Sequence, residues 1–232
     1  MILAAVLLLH SESLRAQRIY LVSVGVSDYP GTVNDLRLPR NDARSICRLY
    51  LSNSRVEAVM LTDGKATHTE VLSKARKLFA KAKEEDIAVF FFAGHGFPGG
   101  FVTYDSPLYY QEIRQLFSAC RARNKMIYAD ACFAGDMREG RRDRPDPGHN
   151  VLLFLSSRSD EYSIENSGMH NGFFTAALLG ALKGGADRNR DRRITAKELF
   201  DAVSRKVQSL SRGSQHPVMW GNFDDNMPVM IW

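Results

Sequence analysis

The fold of this chain is decided by two stretches of its sequence, Phe90-Phe91-Phe92-Ala93-Gly94-His95-Gly96 and Met126-Ile127-Tyr128-Ala129-Asp130-Ala131-Cys132-Phe133-Ala134-Gly135. Each is an apolar run typical of a buried strand, and each ends in a turn of small residues that holds one reactive side chain. Ligands of open α/β sheets bind in the crevice outside the carboxyl ends of the strands. We therefore expect His95 and Cys132 to lie at the same edge of one sheet.

Strand patterns and helical patterns alternate along the rest of the chain. We predict strands over residues 18–26, 56–61, 87–92, 125–129 and 151–156, and helices over residues 41–51, 67–83, 110–122, 172–183 and 195–210. Such alternation predicts an α/β fold with a mostly parallel central sheet and helices on both of its faces. The length suits one substantial domain, which we place at residues 18–232.

A histidine and a cysteine at neighbouring strand ends predict nucleophilic catalysis. A thiol attacks a carbonyl carbon as the thiolate, and a nearby imidazole can take its proton and later protonate the leaving amine. The N–H groups of Gly96 and Cys132 are candidates for the oxyanion hole that stabilises the tetrahedral intermediate. On these residues we interpret the protein as a cysteine peptidase, with His95 as base and Cys132 as nucleophile.

Composition and charge narrow the range of partners. The 232 residues are 25% charged and carry a net charge of +5, with arginines concentrated in two loops, residues 138–144 and 188–193. A basic patch can bind nucleic acid. The aromatic residues lie in apolar runs rather than among these arginines, so we interpret both loops as solvated and expect no nucleic-acid partner.

Residues 1–17 resemble a secretory signal peptide. An apolar run, residues 1–9, is followed by a polar tail, although the positive start of such a peptide is missing. The run is too short to span a bilayer, so we expect no stable membrane span. We favour a secreted or periplasmic protein over a cytoplasmic one.

The two remaining cysteines, Cys47 and Cys120, fall in helical patterns. There we expect them to act as small packed apolar residues. No Cys-x-x-Cys spacing predicts a zinc site.

Further stretches add a resemblance to a known family. They are Val24-Gly25-Val26-Ser27-Asp28-Tyr29, Asn41-Asp42-Ala43, Ser156-Ser157-Arg158-Ser159-Asp160-Glu161, Asn171-Gly172-Phe173-Phe174-Thr175 and Gln215-His216-Pro217. Together with the His95 and Cys132 turns, they make most of residues 18–220 similar to the caspase and metacaspase superfamily, in particular to compact bacterial caspase-domain proteins. The resemblance implies a caspase-type α/β sandwich and a Cys-His dyad of His95 and Cys132.

The resemblance also implies a substrate preference. An acid two residues before the nucleophile, with a second acid from the first loop, is the metacaspase arrangement for binding Arg or Lys, and Asp130 and Asp42 occupy these positions. Two carboxylates can pair bidentately with a guanidinium. The alternatives are that Asp42, or its neighbour Asn41, caps a helix and that Asp130 is structural. Ala93 stands where metacaspases often have Ser, so one pocket hydroxyl is absent.

We expect the chemistry to need no cofactor. Residues Asp187, Asn189, Asp191 and Glu198 have the spacing of a calcium-binding EF-hand loop, but Arg192 replaces the usual glycine and four arginines would repel a cation. We favour a loop that turns the chain and caps the helix from Thr195. Calcium activation, which the resemblance implies for metacaspases, would involve acids near the nucleophile, such as Asp136 and Glu139.

Two alternative functions stay open, together with one further hypothesis. The alternatives are a caspase-like scaffold kept for binding and another Cys-His acyl-transfer enzyme. The hypothesis is that the enzyme cuts its own loop, residues 137–149, after Arg138, Arg141, Arg142 or Arg144. We expect protein or peptide substrates, and the sequence does not fix the oligomeric state.

Overall fold

A six-stranded sheet forms the centre of the protein. The computed structural model describes residues 17–131, 150–157 and 168–232. Its strands are β1 Ile19–Gly25, β2 Val56–Thr62, β3 Ile87–Gly94, β7 Asn124–Ala131, β8 Asn150–Leu155 and β10 Val218–Asn222. They lie in the order β10-β8-β7-β3-β1-β2. Neighbouring strands are parallel except β10, which is antiparallel to β8.

Within the described residues, five α-helices cover the two faces of this sheet. They are α1 Pro39–Leu51, α2 His68–Phe79, α3 Tyr110–Ser118, α4 Phe173–Gly180, which continues into a π-helical turn over Ala181–Gly185, and α5 Ala196–Leu210. Helices α1, α4 and α5 pack on one face, and helices α2 and α3 pack on the other. The predicted α/β sandwich, with a mostly parallel sheet and helices on both faces, is confirmed.

The central strands are apolar on both faces because both faces are covered. Every residue of β1 and β3 is buried. Along β3, Phe91 packs toward α1 and α4, whereas Phe90 and Phe92 pack toward α2 and α3. Successive side chains of a strand point to opposite faces, which accounts for the near-continuous apolar run in the sequence.

Several predicted helix boundaries were wrong. Helix α1 begins at Pro39 rather than at residue 41, and its N-cap, Leu38, makes no side-chain capping bond. Proline suits a first helical position because its fixed φ and missing N–H cost nothing there. Helix α2 ends at Phe79 rather than at residue 83, because Lys81 N–H and Ala82 N–H turn to carbonyls only three residues back.

The shortest strands were not predicted. A small antiparallel sheet follows β3, with β4 Gly96–Phe97, β5 Gly100–Val102 and β6 Pro107–Tyr109. A second small sheet pairs β9 Arg193–Thr195 with β11 Pro228–Ile231. Strands of two to four residues leave too short a pattern for sequence periodicity to detect.

Two regions with sequence predictions lie wholly or partly outside the described residues. They are the signal-peptide-like segment, residues 1–17, of which only Gln17 is described, and the loop with the proposed cleavage sites, residues 137–149. Within the part of the chain that is described, no helix has the length and apolar character needed to cross a membrane.

Candidate active site

The carboxyl ends of β3 and β7 meet at the middle of the sheet. These two strands are parallel neighbours, and their register places Gly94 opposite Ala131. In the sequence, His95 follows Gly94 directly and Cys132 follows Ala131 directly. Cys132 itself lies outside the described residues. The two strands are therefore neighbours, as predicted, and both approach the same edge in register.

The imidazole of His95 is held by the backbone of the loop between β1 and α1. His95 Nε2 lies 2.8 Å from the carbonyl oxygen of Asn34. A carbonyl oxygen only accepts hydrogen bonds, so Nε2 must carry the proton of this contact. In the neutral ring, Nδ1 is then the nitrogen with a free lone pair, which is the atom that a general base uses.

Tyr29 connects the backbone of His95 to strand β5. The N–H of His95 donates to Tyr29 Oη at 3.0 Å, and the Tyr29 hydroxyl donates to the carbonyl of Val102 at 3.1 Å. Val102 N–H donates directly to the carbonyl of His95 at 2.9 Å. Tyr29 Oη thus bridges two groups that would bond each other in a regular antiparallel ladder. Burial raises the pKa of the Tyr29 phenol, so the hydroxyl keeps the proton that it donates.

Glycine is required at the turn before His95. Gly94 has φ +154°, and a Cβ placed on it would lie 2.8 Å from Tyr29 Oη and 3.1 Å from the Phe92 ring. A side chain here would displace the Tyr29 hydroxyl from the backbone of His95. Gly94 therefore allows the close approach that positions the histidine.

Asp63 organises the loop that supplies Asn34. Its Oδ1 accepts the N–H groups of Ser27 at 2.9 Å and Asp28 at 3.1 Å, and its Oδ2 pairs with the guanidinium of Arg40. Charge-assisted bonds of this kind are about twice as strong as neutral ones. The carboxylate therefore fixes the loop between β1 and α1, and with it the carbonyl that His95 contacts.

Asp130 faces helix α4. The residue is 7% exposed, and its Oδ2 accepts the N–H of Thr175 at 3.1 Å and the Thr175 hydroxyl at 2.8 Å. Thr175 is the third residue of α4, where N–H groups have no partner inside the helix. The carboxylate of Asp130 thus lies at the N-terminus of the helix, where the helix dipole favours a negative charge.

Asp42 reaches the same place from helix α1. It is 2% exposed, and its Oδ1 accepts Asn171 Nδ2–H at 2.8 Å and Gly172 N–H at 3.1 Å. Asp42 lies in the first turn of α1, and the helix has no side-chain cap, so the alternative of Asn41 or Asp42 as a cap was wrong. Its carboxylate instead accepts hydrogen bonds from the two residues that directly precede α4.

Gly172 separates the two carboxylates. A Cβ placed on Gly172 would lie 2.6 Å from Asp130 Oδ2 and 3.4 Å from Asp42 Oδ2. Both oxygens are therefore within 3.4 Å of one point, although the two acids are far apart in the sequence. The two residues that the resemblance assigned to one substrate pocket do lie together.

Ser156 secures the end of β7, a role that the sequence analysis missed. Strand β8 pairs with β7 only up to Leu155. Beyond that point, Ala131 N–H donates to Ser156 Oγ at 3.2 Å, and the Ser156 hydroxyl donates to the carbonyl of Ala131 at 3.2 Å. The hydroxyl continues the ladder where the strand backbones separate, and it fixes the residue that precedes Cys132.

Gln215 supports Ser156 from the C-terminal part of the chain. Gln215 is fully buried, and its Nε2–H donates to the carbonyl of Ser156 at 2.8 Å. In the sequence, the stretches around Ser156 and Gln215 carried only a family resemblance. A Ser directly after an apolar strand pattern is the signal that could have indicated a hydroxyl bonded to the backbone.

Strand β4 leaves the N–H of Gly96 directed away from its partner. His95 is joined to Val102 by a backbone hydrogen bond, and Gly96 pairs with Phe101 in the same register. Alternate positions of an antiparallel ladder are not hydrogen-bonded, so Gly96 N–H points to the side opposite β5. The N–H of Gly96 is therefore not used in the pairing of β4 with β5.

The two other cysteines are packed inside the protein. Cys47 of α1 and Cys120, just after α3, are both buried and free. Burial raises the pKa of each thiol. Both therefore carry less thiolate at a given pH than an exposed cysteine does.

The acidic side chains of the EF-hand-like loop accept hydrogen bonds from backbone N–H groups in the loop and at the start of α5. Asp187 accepts the N–H groups of Asp191 at 3.1 Å and Arg192 at 3.0 Å. Glu198 Oε2 accepts Thr195 N–H at 3.0 Å, while Thr195 Oγ1 accepts Glu198 N–H at 3.3 Å, which is a capping box at the start of α5. Across the described ranges, no group of three or more His, Cys, Asp or Glu side chains is placed to hold a metal ion.

The fold is an α/β sandwich in which two parallel neighbouring strands of the central sheet end side by side, at Gly94 before His95 and at Ala131. A family model described as the caspase domain matches residues 19–227. The chain therefore belongs to the caspase-domain family and has its peptidase fold.

One solved structure supports the same fold. The crystal structure of protein GSU0716 from Geobacter sulfurreducens is similar to this chain with a TM-score of 0.72. The sequence identity is 15%, and the match covers 92% of this chain and 99% of that chain. A search of curated protein sequences found no match.

Proposed function

We propose that this protein is a cysteine endopeptidase that cleaves peptide bonds after Arg or Lys, with Cys132 as nucleophile and His95 as general base. The observation that carries the proposal is the register of β3 and β7, with Gly94 opposite Ala131. It brings the residues directly before His95 and Cys132 side by side at the carboxyl edge of the sheet. That edge is where α/β proteins bind their ligands.

In the proposed first step, Nδ1 of His95 takes the proton of the Cys132 thiol, and the sulfur attacks the carbonyl carbon of the scissile bond. The C=O π electrons move to oxygen, and the N–H groups of Gly96 and Cys132 stabilise the resulting oxyanion. The Asn34 carbonyl, which accepts the proton on Nε2, keeps the ring in the tautomer that leaves Nδ1 free. It also stabilises the imidazolium that forms.

The second step releases the amine. His95 gives its proton to the nitrogen of the leaving peptide as the C–N bond breaks, which leaves a thioester on Cys132. Water then loses a proton to His95 and attacks the thioester carbonyl. As the C–S bond breaks, the sulfur takes this proton back from His95, which frees the carboxylic acid and restores the thiol.

The preference for Arg or Lys rests on the two buried acids. Asp42 and Asp130 both border Gly172, and both are held by N–H donors at the start of α4. A guanidinium or ammonium entering beside them would find two carboxylates with fixed orientations. An acidic side chain would be repelled there, which distinguishes this pocket from one that accepts Asp.

The test is a panel of fluorogenic peptides with Arg, Lys, Asp or Leu before the reporter, assayed with and without calcium. We expect cleavage of the Arg and Lys peptides, loss of cleavage in Cys132→Ala and in His95→Ala, and full activity in the matched thiol control Cys120→Ala. Cleavage after Asp alone would refute the pocket. The absence of any Cys132-dependent cleavage would favour the binding scaffold.

Two readouts extend this test. Transfer of the acyl group to an added amine in preference to water would favour another acyl-transfer enzyme. Mapping of new N-termini by mass spectrometry, in the wild type and Cys132→Ala, examines self-cleavage in residues 137–149. A wild type that stays intact while it cleaves the Arg peptide contradicts self-cleavage.

A further inference from the structure

The small sheet that follows His95 has two unlike faces. Phe101 and Leu108 lie opposite each other on β5 and β6 and are fully buried, and the Phe101 ring stacks on Phe92 at a centroid distance of 4.4 Å. The other face carries Phe97 and Tyr109. Tyr109 is 52% exposed, which is a large fraction for an aromatic side chain in a sheet.

Gly100 lets these two outer rings meet. It pairs with Phe97 on one side and with Tyr109 on the other, so the three residues form one row across the sheet. A Cβ on Gly100 would lie 2.6 Å from Phe97 Cζ, so the Phe97 ring covers the place of the missing side chain. The Phe97 and Tyr109 rings contact edge to face, with centroids 5.9 Å apart. We call Phe97 and Tyr109 the aromatic shelf.

The shelf shares its face with the imidazole of His95. The backbone hydrogen bond from Val102 to His95 continues the register of Gly96 with Phe101 by one residue. Side chains two residues apart on a strand leave on the same face. His95 and Phe97 therefore project from the same side of this segment, with the imidazole at the reactive edge and the shelf beyond it.

The shelf and the acid pair lie on opposite faces of the main sheet. Asp42 and Asp130 lie at the start of α4, on the face covered by α1 and α4. Phe101 and Leu108, beneath the shelf, pack into the cluster on the face covered by α2 and α3. The acid pair and the small sheet thus lie on either side of the strand ends, so a peptide that contacts both has to cross those ends.

We propose that the aromatic shelf binds the side chain of the residue that follows the scissile bond, and that it favours a large apolar or aromatic side chain there. This rests on the proposed function, because His95 must protonate the leaving amine and so lies beside the residue that carries it. An aromatic or aliphatic side chain on that residue would cover the exposed Tyr109 ring and the Phe97 edge.

The test uses internally quenched peptides with Arg before the scissile bond and Phe, Leu, Gly or Asp after it. In the wild type we expect kcat/KM for the Phe peptide to exceed that for the Gly peptide at least about tenfold. We expect Phe97→Ala and Tyr109→Ala each to reduce this ratio to about twofold or less, with the preference for Arg over Asp before the bond unchanged. Trp220→Ala, which removes an exposed ring on β10, is the matched control and should keep the full ratio.

Thermal unfolding of each variant identifies misfolded protein, and Tyr109→Ala covers the case in which Phe97→Ala does not fold. A wild type that cleaves after Arg with no preference between Phe and Gly overturns the inference and leaves the proposed function intact. Failure to cleave any of the peptides overturns both. Sedimentation velocity on the variants adds one more outcome. A change in oligomeric state with an unchanged ratio of kcat/KM between the Phe and Gly peptides would show that the shelf is a contact between proteins, and it would overturn the inference.

Discussion

The hydroxyl of Tyr29 accepts the backbone N–H of His95 at 3.0 Å. The same hydroxyl donates to the carbonyl of Val102, so one oxygen joins the histidine to the small sheet. The Tyr29 ring also lies against the imidazole, with centroids 5.0 Å apart. Tyr29 therefore positions both the backbone and the ring of His95.

The first prediction concerns Tyr29→Phe. Removal of the hydroxyl leaves the N–H of His95 and one acceptor on Val102 without this partner, so we expect the free energy of unfolding to fall by about 1–3 kcal/mol. We also expect kcat to fall more than KM changes, because the hydroxyl bonds to the backbone of the proposed base, His95, and of Val102. Denaturant unfolding and steady-state kinetics measure both. The control is Tyr50→Phe in the last turn of α1, and equal losses of kcat in the two variants would contradict the positioning role.

The second prediction concerns the charge of the acid pair. In Asp130→Asn and Asp42→Asn, the amide oxygen can still accept the N–H groups at the start of α4, so the fold should persist. Loss of one carboxylate should lower kcat/KM for an Arg peptide about 10- to 100-fold. Leu peptides should be affected little. Equal losses for Arg and Leu peptides would show that the acids are structural.

The third prediction tests the space between these acids. Gly172 has φ −57° and ψ 156°, which alanine can adopt, yet its Cβ would lie 2.6 Å from Asp130 Oδ2. Gly172→Ala should therefore displace the carboxylate and raise KM for Arg peptides. The matched control is Gly180→Ala, where a Cβ meets nothing within 4 Å. That substitution should stabilise α4 by about 0.5–1 kcal/mol with kinetics unchanged. A wild-type KM in Gly172→Ala would place the Arg pocket elsewhere.

The fourth prediction concerns the support of β7. Ser156→Ala removes the partner of the buried Ala131 N–H, so we expect a loss of about 1–3 kcal/mol in the free energy of unfolding. We also expect slower alkylation of Cys132 by iodoacetamide, measured as a pH–rate profile, because the residue before it is no longer fixed. Ser118→Ala, which removes an exposed hydroxyl at the end of α3, should change neither quantity. An unchanged pH–rate profile of Cys132 alkylation in Ser156→Ala would show that the Ser156 hydroxyl does not position Cys132.

The fifth prediction distinguishes the three thiols. Iodoacetamide applied to the folded protein near neutral pH should modify Cys132 and spare Cys47 and Cys120, because burial both hides these thiols and raises their pKa. The raised pKa lowers their thiolate fraction at every pH below it, so their labelling should increase only at alkaline pH or on unfolding. Peptide mapping by mass spectrometry reads out the sites. Faster labelling of Cys47 or Cys120 than of Cys132 would contradict the assignment of Cys132 as the reactive thiol.

Five of the six strands of the main sheet could be predicted from the sequence. Strands β1 and β3 are buried along their whole length, so they form nearly continuous apolar runs. Strand β10, whose residues are half-buried or exposed, was not predicted, and neither was its antiparallel pairing with β8. The small sheet could not be predicted in this way. Phe97 and Gly100 lie in strands of two and three residues, and their pairing depends on the packing of Phe101 under them.

The site was predictable where it coincides with strand ends and not where it depends on tertiary hydrogen bonds. His95 stands out because a glycine-flanked histidine ends an apolar run. Tyr29, Ser156 and Gln215 act through hydrogen bonds to backbone groups far away in the sequence, and no local pattern specifies such a partner. The proximity of Asp42 and Asp130 was implied by the resemblance alone, because the spacing of residues along the sequence does not show that helix α1 lies beside the end of β7.

The register between β3 and β7 has one more consequence. A slip of a single residue would turn every side chain of β7 to the opposite face, and Asp130 would then point toward α2 and α3 instead of α4. A molecule with mispaired central strands would thus lose the Asp130 carboxylate from the start of α4, while Asp42 would remain on α1. Pairing of the central strands in the correct register is therefore a condition for the two carboxylates to meet beside Gly172.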